Sequence, residues 1–258
     1  MDLGINGLRV LITAGAGGIG LVTANAFLAE GARVHVCDID QGALANLATN
    51  APGATGSLCD VSDRDQVARL IDGAVATLGG LDCLVNNAGI AGPTGRVDEI
   101  DPEEWDRCLD ITITGQFNCA RLAIPHLKAS KNASITNYSS SAGKFGFPLR
   151  SPYAAAKWGV IGFTKTLAME LGPNGIRCNA IQPGPVDGAR IRAVIDAKAR
   201  AANISFEEMQ DRVLANQSIK QLIPPEQLAN LTVYLASPRA SLISGQELAV
   251  DGDMQCLA

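Results

Sequence analysis

Thr13-Ala14-Gly15-Ala16-Gly17-Gly18-Ile19-Gly20 follows the apolar run Leu8 to Thr13 and opens a helical pattern that continues to about Glu30. Glycines between a strand and a helix permit a tight turn and let the backbone approach a ligand closely. The free N–H groups and the dipole at a helix start then favour an anion such as a pyrophosphate. A glycine-rich turn alone is a weak signal, so its surroundings decide the reading.

Outward from that turn, short β-branched runs alternate with longer helical stretches. The spacing predicts strands over Leu8 to Thr13, Arg33 to Cys37, Ala54 to Cys59, Cys83 to Asn86, Ser134 to Tyr138, Arg177 to Ile181 and Glu247 to Val250. Helices are expected over Gly18 to Glu30, Gly42 to Asn50, Arg64 to Leu78, Pro102 to Ser130, Tyr153 to Leu171 and Pro225 to Ala236. Such alternation implies parallel strands joined by helical crossovers. The first strands are nearly all apolar, as strands covered on both faces are. The expected fold is α/β: a doubly wound parallel sheet of seven strands with helices on both faces, of Rossmann type. From 187 to 218 no strand is expected and the pattern is helical and charged, with Arg190, Arg192, Asp196 and Lys198 among its residues. It reads either as a solvated surface hairpin or as a helical flap over a pocket.

The chain has 258 residues, 21 Lys+Arg against 26 Asp+Glu, and a net charge of −5. A chain of this length buries about three quarters of its unfolded surface, and its apolar content excludes general disorder. The acidic balance argues against a nucleic-acid or anionic-membrane partner. No apolar run reaches the length of about 18 residues that spans a bilayer. Met1-Asp2-Leu3-Gly4 has neither the basic nor the apolar region of a secretory signal, so a cytoplasmic protein is expected. The seven cysteines form no C-x-x-C pair and mostly lie inside apolar runs, as small buried hydrophobes do in a reducing compartment. His35 and His126 have no second ligand at zinc-like spacing, and no metal is expected.

Asp38 ends the second strand, 18 residues after Gly20. A carboxylate there accepts hydrogen bonds from both ribose hydroxyls of NAD and repels the 2′-phosphate of NADP. Ile39 and Asp40 follow it without a cation, and NAD is the expected cofactor. The competing reading makes Asp38 a strand-end turn residue. Tyr153-Ala154-Ala155-Ala156-Lys157 places a phenol and an ammonium on one helix face. A free Tyr titrates near about 10, and a neighbouring ammonium favours its phenolate. Ser140 lies 13 residues before Tyr153, at the C-terminal end of the fifth strand, where such sheets bind ligands. An alternating strand end does not aim Ser139 or Ser141 at the same point.

With these residues in place the chain resembles the short-chain dehydrogenase/reductase family, in its single-domain branch, over about Leu8 to Gly252. The likeness extends to 3-oxoacyl reductases and 3-hydroxybutyrate dehydrogenases of that family. In the motif T-G-x-x-x-G-x-G, Thr13, Gly18 and Gly20 match, and Ala14 replaces the first glycine, with Gly15 expected to compensate. Asp60-Val61 resembles the pair that contacts adenine, and Asn86-Asn87-Ala88-Gly89 resembles N-N-A-G, which supports the cofactor side of the sheet. Val250-Asp251-Gly252 resembles V-D-G-G with Asp253 in the last place. The resemblance implies one oxidoreductase domain over 1–258, and a cofactor site of Gly15, Gly17, Gly18, Ile19, Asp38, Asp60, Val61, Asn87, Tyr153, Lys157 and Val186.

It implies a catalytic set of Ser140, Tyr153 and Lys157. Ser140 would stabilise the substrate oxygen, Tyr153 exchange its proton, and Lys157 act on Tyr153 and hold the nicotinamide ribose. In Gln182-Pro183-Gly184-Pro185-Val186 the backbone near Val186 would anchor the carboxamide, though Gly188 stands where the family usually has Thr. The larger departure is Ile111-Thr112-Ile113-Thr114-Gly115, against V-N-L-x-G. Thr112 replaces an Asn that kinks its helix and holds a relay water. A Thr hydroxyl can bond a carbonyl or a water, so turnover is expected to survive. Arg150 sits three residues before Tyr153, where 3-hydroxybutyrate dehydrogenases hold the substrate carboxylate with Lys. It reads either as an anion anchor or as an exposed or intersubunit residue.

The resulting expectation is an NAD-dependent oxidoreductase interconverting a secondary alcohol and a ketone, a small molecule with an anionic or polar group. The alternatives are an NAD(P)H-dependent 3-oxoacyl thioester reductase and a nucleotide-binding regulator without turnover. The family also implies a homotetramer.

Overall fold

Seven short strands form a single parallel sheet in the computed structural model, which describes residues 2–257 except the side chains at 190, 197, 198 and 201. The strands are β1 (Arg9–Thr13), β2 (Arg33–Asp38), β3 (Thr55–Leu58), β4 (Cys83–Asn86), β5 (Ser134–Tyr138), β6 (Arg177–Pro183) and β7 (Glu247–Val250). Their order is β3-β2-β1-β4-β5-β6-β7. The order reverses between β1 and β4, which makes the space beyond their C-terminal ends the crevice where such sheets take ligands. Register brings the relevant ends level: Thr13 pairs with Cys37, Asn86 with Asn137, and Tyr138 with Ile181.

The helices are α1 (Gly18–Ala29), α2 (Gln41–Ala45), α3 (Leu47–Asn50), α4 (Arg64–Leu78), α5 (Pro102–Leu109), α6 (Gly115–Leu127), α7 (Ser151–Leu171), α8 (Ala189–Ala202), α9 (Phe206–Leu214) and α10 (Pro225–Ala236). On one face Leu11, Leu84, Ile135 and Cys178 of the sheet pack with Leu70 of α4, Ala123 of α6 and Leu167 of α7. On the other, Val10, Ile12, Val34 and Val36 pack with Phe27 of α1 and with Leu228 and Val233 of α10. This two-sided cover explains why the inner strands β1, β4, β5 and β6 are buried almost throughout. Local chemistry sets helix ends. Asp63 caps α4 through Asp65 and Gln66 N–H, and Gly79 closes it at φ 76°. Asp101 caps α5, whose first residue is Pro102.

Most element ends lie within one to three residues of those the spacing predicts, and the following differences bear on the fold. The stretch from Gly42 splits at Asn46 into two short helices, and β6 runs on to Pro183. The long helix expected from Pro102 to Ser130 is interrupted by a π-turn over Asp110–Thr114. A π-turn adds one residue to a turn, and helical periodicity in sequence tolerates that without a visible break. Helices α8 and α9 pack on each other through Ile195, Ala199 and Met209. Val186 bridges to Ile223 where this helical pair leaves and rejoins the sheet domain.

Candidate active site

Beyond β1 the chain turns sharply. Ala14 adopts φ 50° and Gly18 φ 50°. Ala14 thus takes the left-handed conformation itself, and Gly15 does not compensate for the missing glycine. Gly15 instead packs against β2, where its N–H donates to Cys37 O at 2.9 Å and a Cβ would overlap Val36. Gly20 is equally confined, since a Cβ would overlap Ala14 O and approach Asn87 Nδ2. Gly17 and Gly18 are the open pair, where an added Cβ meets nothing within 4 Å. Gly17 is the N-cap of α1 with no side-chain cap, and the first turn, which includes Ile19, carries no acid. The helix therefore presents unsatisfied N–H groups to open space, as a pyrophosphate requires.

Asn87 holds this turn from beneath. Its Nδ2 donates to Thr13 O and Ala14 O, both at 3.0 Å, and Thr13 Oγ1 accepts from Asn87 N and Ala88 N at 3.0 Å. Its side chain is thereby engaged with the protein as a strut. Thr13 is the other half of the clamp, at the Thr position of the motif that the sequence matched.

Next to the turn lies a cleft of about 430 Å³, lined among others by Ala14, Asp38, Asp60, Val61, Ala88 and Gly89. Asp38 Oδ2 accepts from Ala16 N and Oδ1 from Asp40 N, each at 3.1 Å. These bonds aim the carboxylate at the base of the glycine turn. Asp60 is held by Ser62 and lines the same cleft with Val61. Glu103, Asp106, Arg107, Asp110 and Cys59 are also in its lining. Sequence reasoning passed over these, because α5 reaches the cleft only through the tertiary fold. Together the open helix terminus and the adjoining cleft fit the pyrophosphate and adenosine parts of a dinucleotide.

The chemical end lies beyond β5. Ser140 adopts extended backbone and caps a short 3-10 turn, with its Oγ accepting from Ala142 N at 3.1 Å. Its neighbours point elsewhere. Ser139 Oγ donates to Lys157 O, and Ser141 Oγ donates to Pro183 O. That turn sits tightly on α7, since a Cβ on Gly143 would overlap Ser139 Oγ and approach the Lys157 carbonyl. On α7, Lys157 Nζ lies 5.7 Å from the centre of the Tyr153 ring and donates to Tyr138 O at 2.8 Å. Lys157 is 5% exposed. The four-residue spacing has put both groups on one face, as expected.

Arg150 lies at the start of α7, with its guanidinium 5.6 Å from the ring centres of both Phe147 and Tyr153. It donates to Ala91 O at 2.7 Å and to Thr94 Oγ1 at 3.4 Å. With Gly95 N donating to Leu149 O, it ties the segment after β4 to the segment after β5. Arg150 is therefore neither a solvated surface residue nor remote from Tyr153. On the helical insertion, Arg192 pairs with Asp187 at 2.8 Å, and the Arg190 side chain lies outside the described residues. Val186 is partly buried, beside the Ile223 bridge.

Thr112 is fully buried inside the π-turn. Its Oγ1 accepts from Ile90 N at 3.4 Å and lies 3.7 Å from where a Cβ on Gly89 would stand. Lys157 Nζ is 3.3 Å from that same point. Burial pushes the nearby Cys108 thiol up, while a hydrogen bond with Thr112 and the charges of Lys157 and Arg150 oppose it. The π-turn thus forms although Asn is absent.

A doubly wound sheet with an anion-ready helix at its crossover, and a Tyr–Lys pair at the same end, defines a nucleotide-dependent enzyme class. Residues 14–255 match the family model described as enoyl-(acyl carrier protein) reductase. The chain is 38% identical to cis-4-hydroxycyclohexanecarboxylate dehydrogenase of Sinomonas cyclohexanicum, over 94% of each chain. It is 35% identical to 3-oxoacyl-[acyl-carrier-protein] reductase of Thermotoga maritima, over 97% of this chain and 98% of that one. Among solved structures, NAD+-bound xylitol dehydrogenase superposes with a TM-score of 0.89 at 26% identity, covering 96% of this chain and 99% of that one. The chain belongs to the short-chain dehydrogenase/reductase family. It is an oxidoreductase acting on CH–OH groups and their ketones, with a nicotinamide cofactor and a small-molecule substrate.

Proposed function

We propose that the protein is an NAD-dependent dehydrogenase of a secondary alcohol carrying an anionic group, with Ser140, Tyr153 and Lys157 as its catalytic residues. The observation that carries this is the Tyr153–Lys157 pair, 5.7 Å from ring centre to ammonium, on the helix against which the Ser140 turn packs. A bound nicotinamide would supply the hydride exchange with the carbinol carbon. Ser140 donates a hydrogen bond to the substrate oxygen and steadies it as its charge changes. Tyr153 takes the hydroxyl proton in oxidation and gives it back in reduction. Lys157 keeps a positive charge beside the phenol as that proton moves.

The choice of NAD rests on the cleft. Its lining carries Asp38, Asp60, Glu103, Asp106 and Asp110 against the single described cation Arg107, a poor place for a 2′-phosphate. Gly17, Gly18 and Ile19 at the α1 terminus would take the pyrophosphate, with Gly15 and Asn87 keeping the turn in shape. Val61 and Asp60 would border the adenine, and the backbone near Val186 the carboxamide. Arg150 puts a fixed positive charge beside Tyr153, where an acid group on the substrate would be drawn. The carboxylate in the name of the Sinomonas relative's substrate supports that reading. The helices α8 and α9 would act as the substrate flap of one 1–258 domain.

The partly exposed Phe117 on α6 and Trp158 on α7 favour assembly with further copies of the chain, as a homotetramer. Six of the seven cysteines are buried as free thiols, which fits a reducing, cytoplasmic setting; among the described residues no helix is long and apolar enough to cross a membrane. Titration of NAD and NADP against matched hydroxy acids and neutral alcohols tests the reading. The expected result is turnover with NAD and hydroxy acids. NADPH preference with 3-oxoacyl thioesters would establish the second reading, for which the Thermotoga relative speaks. Binding without turnover over the whole panel would leave a regulator.

A further inference from the structure

Gln116 is the second residue of α6, just beyond the π-turn, and is 2% exposed. Its Nε2 donates to Tyr138 O at 3.3 Å. Lys157 Nζ donates to that same oxygen at 2.8 Å. A carbonyl oxygen has two lone pairs and accommodates both donors. The shared acceptor also fixes the amide's orientation, because a flipped amide would set oxygen against oxygen. Gln116 Oε1 is consequently turned away from the carbonyl, and it is buried with no hydrogen-bond partner among the described residues. Buried amide oxygens are seldom left in that state, and the common partner is an ordered water with two or more polar neighbours. The Lys157 ammonium donates to the same carbonyl as the Gln116 amide, so the two polar groups gather at one oxygen, and a bridging water can join groups so placed.

We propose that Gln116 is a positioning residue for Lys157: its Oε1 holds a water that also accepts from the Lys157 ammonium, and so fixes that ammonium beside Tyr153. The proposal rests on the catalytic reading of Tyr153 and Lys157 given above. Gln116 touches neither substrate nor cofactor in this role. It acts from behind, through the Tyr138 carbonyl and the water, on a side chain that must stay in register while a proton passes. The Thr112 hydroxyl and the Lys157 ammonium both border Gly89, at 3.7 and 3.3 Å from where a Cβ on that residue would stand.

The test compares Gln116→Met, which keeps length and loses both polar atoms, with Gln116→Asn, which keeps the amide's donor and acceptor on a side chain one methylene shorter. Gln116→Met should lower kcat about tenfold, a modest part of what a full acid–base group contributes. KM for NAD and alcohol should stay within about twofold, because no substrate contact is lost. The solvent deuterium isotope effect on kcat should rise in Gln116→Met, and Gln116→Asn should recover part of the lost rate. Wild-type kcat in Gln116→Met would overturn the proposal. Equal losses in both variants with an unchanged solvent isotope effect would overturn it too, since a packing role predicts that pattern. Tyr153→Phe is measured alongside. Normal turnover there overturns the catalytic reading itself, whereas an inactive Tyr153→Phe beside a normal Gln116→Met removes only the role of Gln116.

Discussion

Lys157 holds its ammonium 5.7 Å from the centre of the Tyr153 ring while a 2.8 Å bond to Tyr138 O ties it to the end of β5. The ammonium is therefore positioned by the sheet as well as by its own helix. Removing the phenol hydroxyl in Tyr153→Phe should lower kcat by about 10² to 10⁴-fold, the range a positioned acid–base group supplies. Lys157→Met should lower kcat at least about 10²-fold for the same proton step. Both variants should bind NAD in a calorimetric titration and unfold cooperatively, which separates lost chemistry from lost fold.

The strands were legible because a parallel sheet covered on both faces demands near-continuous apolar runs, and Arg33 to Cys37 or Cys83 to Asn86 meets that demand locally. The Tyr153–Lys157 pair was legible because helix geometry alone aligns positions four apart. The π-turn at Asp110–Thr114 was hidden inside a helical pattern that reads smoothly from Pro102 onward. Arg150 could be placed next to Tyr153 by spacing, but its bond to Ala91 O spans 59 positions and is set by how two loops meet. Gln116 gave no signal, because what distinguishes it is a carbonyl shared with Lys157 and an acceptor without a partner. Spacing along one helix reports neither.

Asp38 both faces the cleft and ties down the glycine turn through Ala16 N. Asp38→Ala removes a carboxylate that would accept from ribose hydroxyls, and such charge-assisted bonds contribute about 1.5–3 kcal/mol. KM for NAD should rise about 10- to 100-fold. KM for NADP should fall relative to it, because the repulsion of the 2′-phosphate is gone. Initial rates with each cofactor at fixed alcohol measure the ratio. An unchanged ratio would return Asp38 to the role of a turn residue.

His35 crosses from β2 to β3, with hydrogen bonds to Thr55 Oγ1 at 2.7 Å and Ser57 Oγ at 2.9 Å. Burial pushes its imidazole down to about 4. An unfolded His titrates near about 6.5, so between these values the unfolded chain binds the extra proton. Stability should be full above about pH 6.5 and fall as pH drops toward about 4, by up to about 3 kcal/mol from this group. Asp82 acts lower. Burial alone would raise its carboxyl, but bonds from Arg9 and Ser130 outweigh that and hold it below the usual range. Its contribution is present above about pH 4 and is lost only as pH falls through its folded value. Urea unfolding at about pH 7 and pH 4.5 should show the first loss, and His35→Asn should flatten the dependence in that window.

The glycine turn separates shape from function at two of its positions. A Cβ at Gly20 would overlap Ala14 O and crowd Asn87 Nδ2, the group that holds Thr13 and Ala14. Gly20→Ala should therefore destabilise the fold by about 1–3 kcal/mol, as overpacking at backbone does, and lower the unfolding midpoint. Gly17 is exposed at φ −149°, a conformation open to any residue, and a Cβ there meets nothing within 4 Å. Gly17→Ala should keep the unfolding midpoint. Its methyl would stand in front of the α1 N–H groups, where a pyrophosphate must approach the backbone closely. NAD affinity should drop at least about tenfold, which is 1.4 kcal/mol or more of lost binding. Paired measurements of thermal unfolding and of NAD binding on the two variants check this. Equal NAD affinity in Gly17→Ala and the parent chain would move the pyrophosphate away from this end of α1.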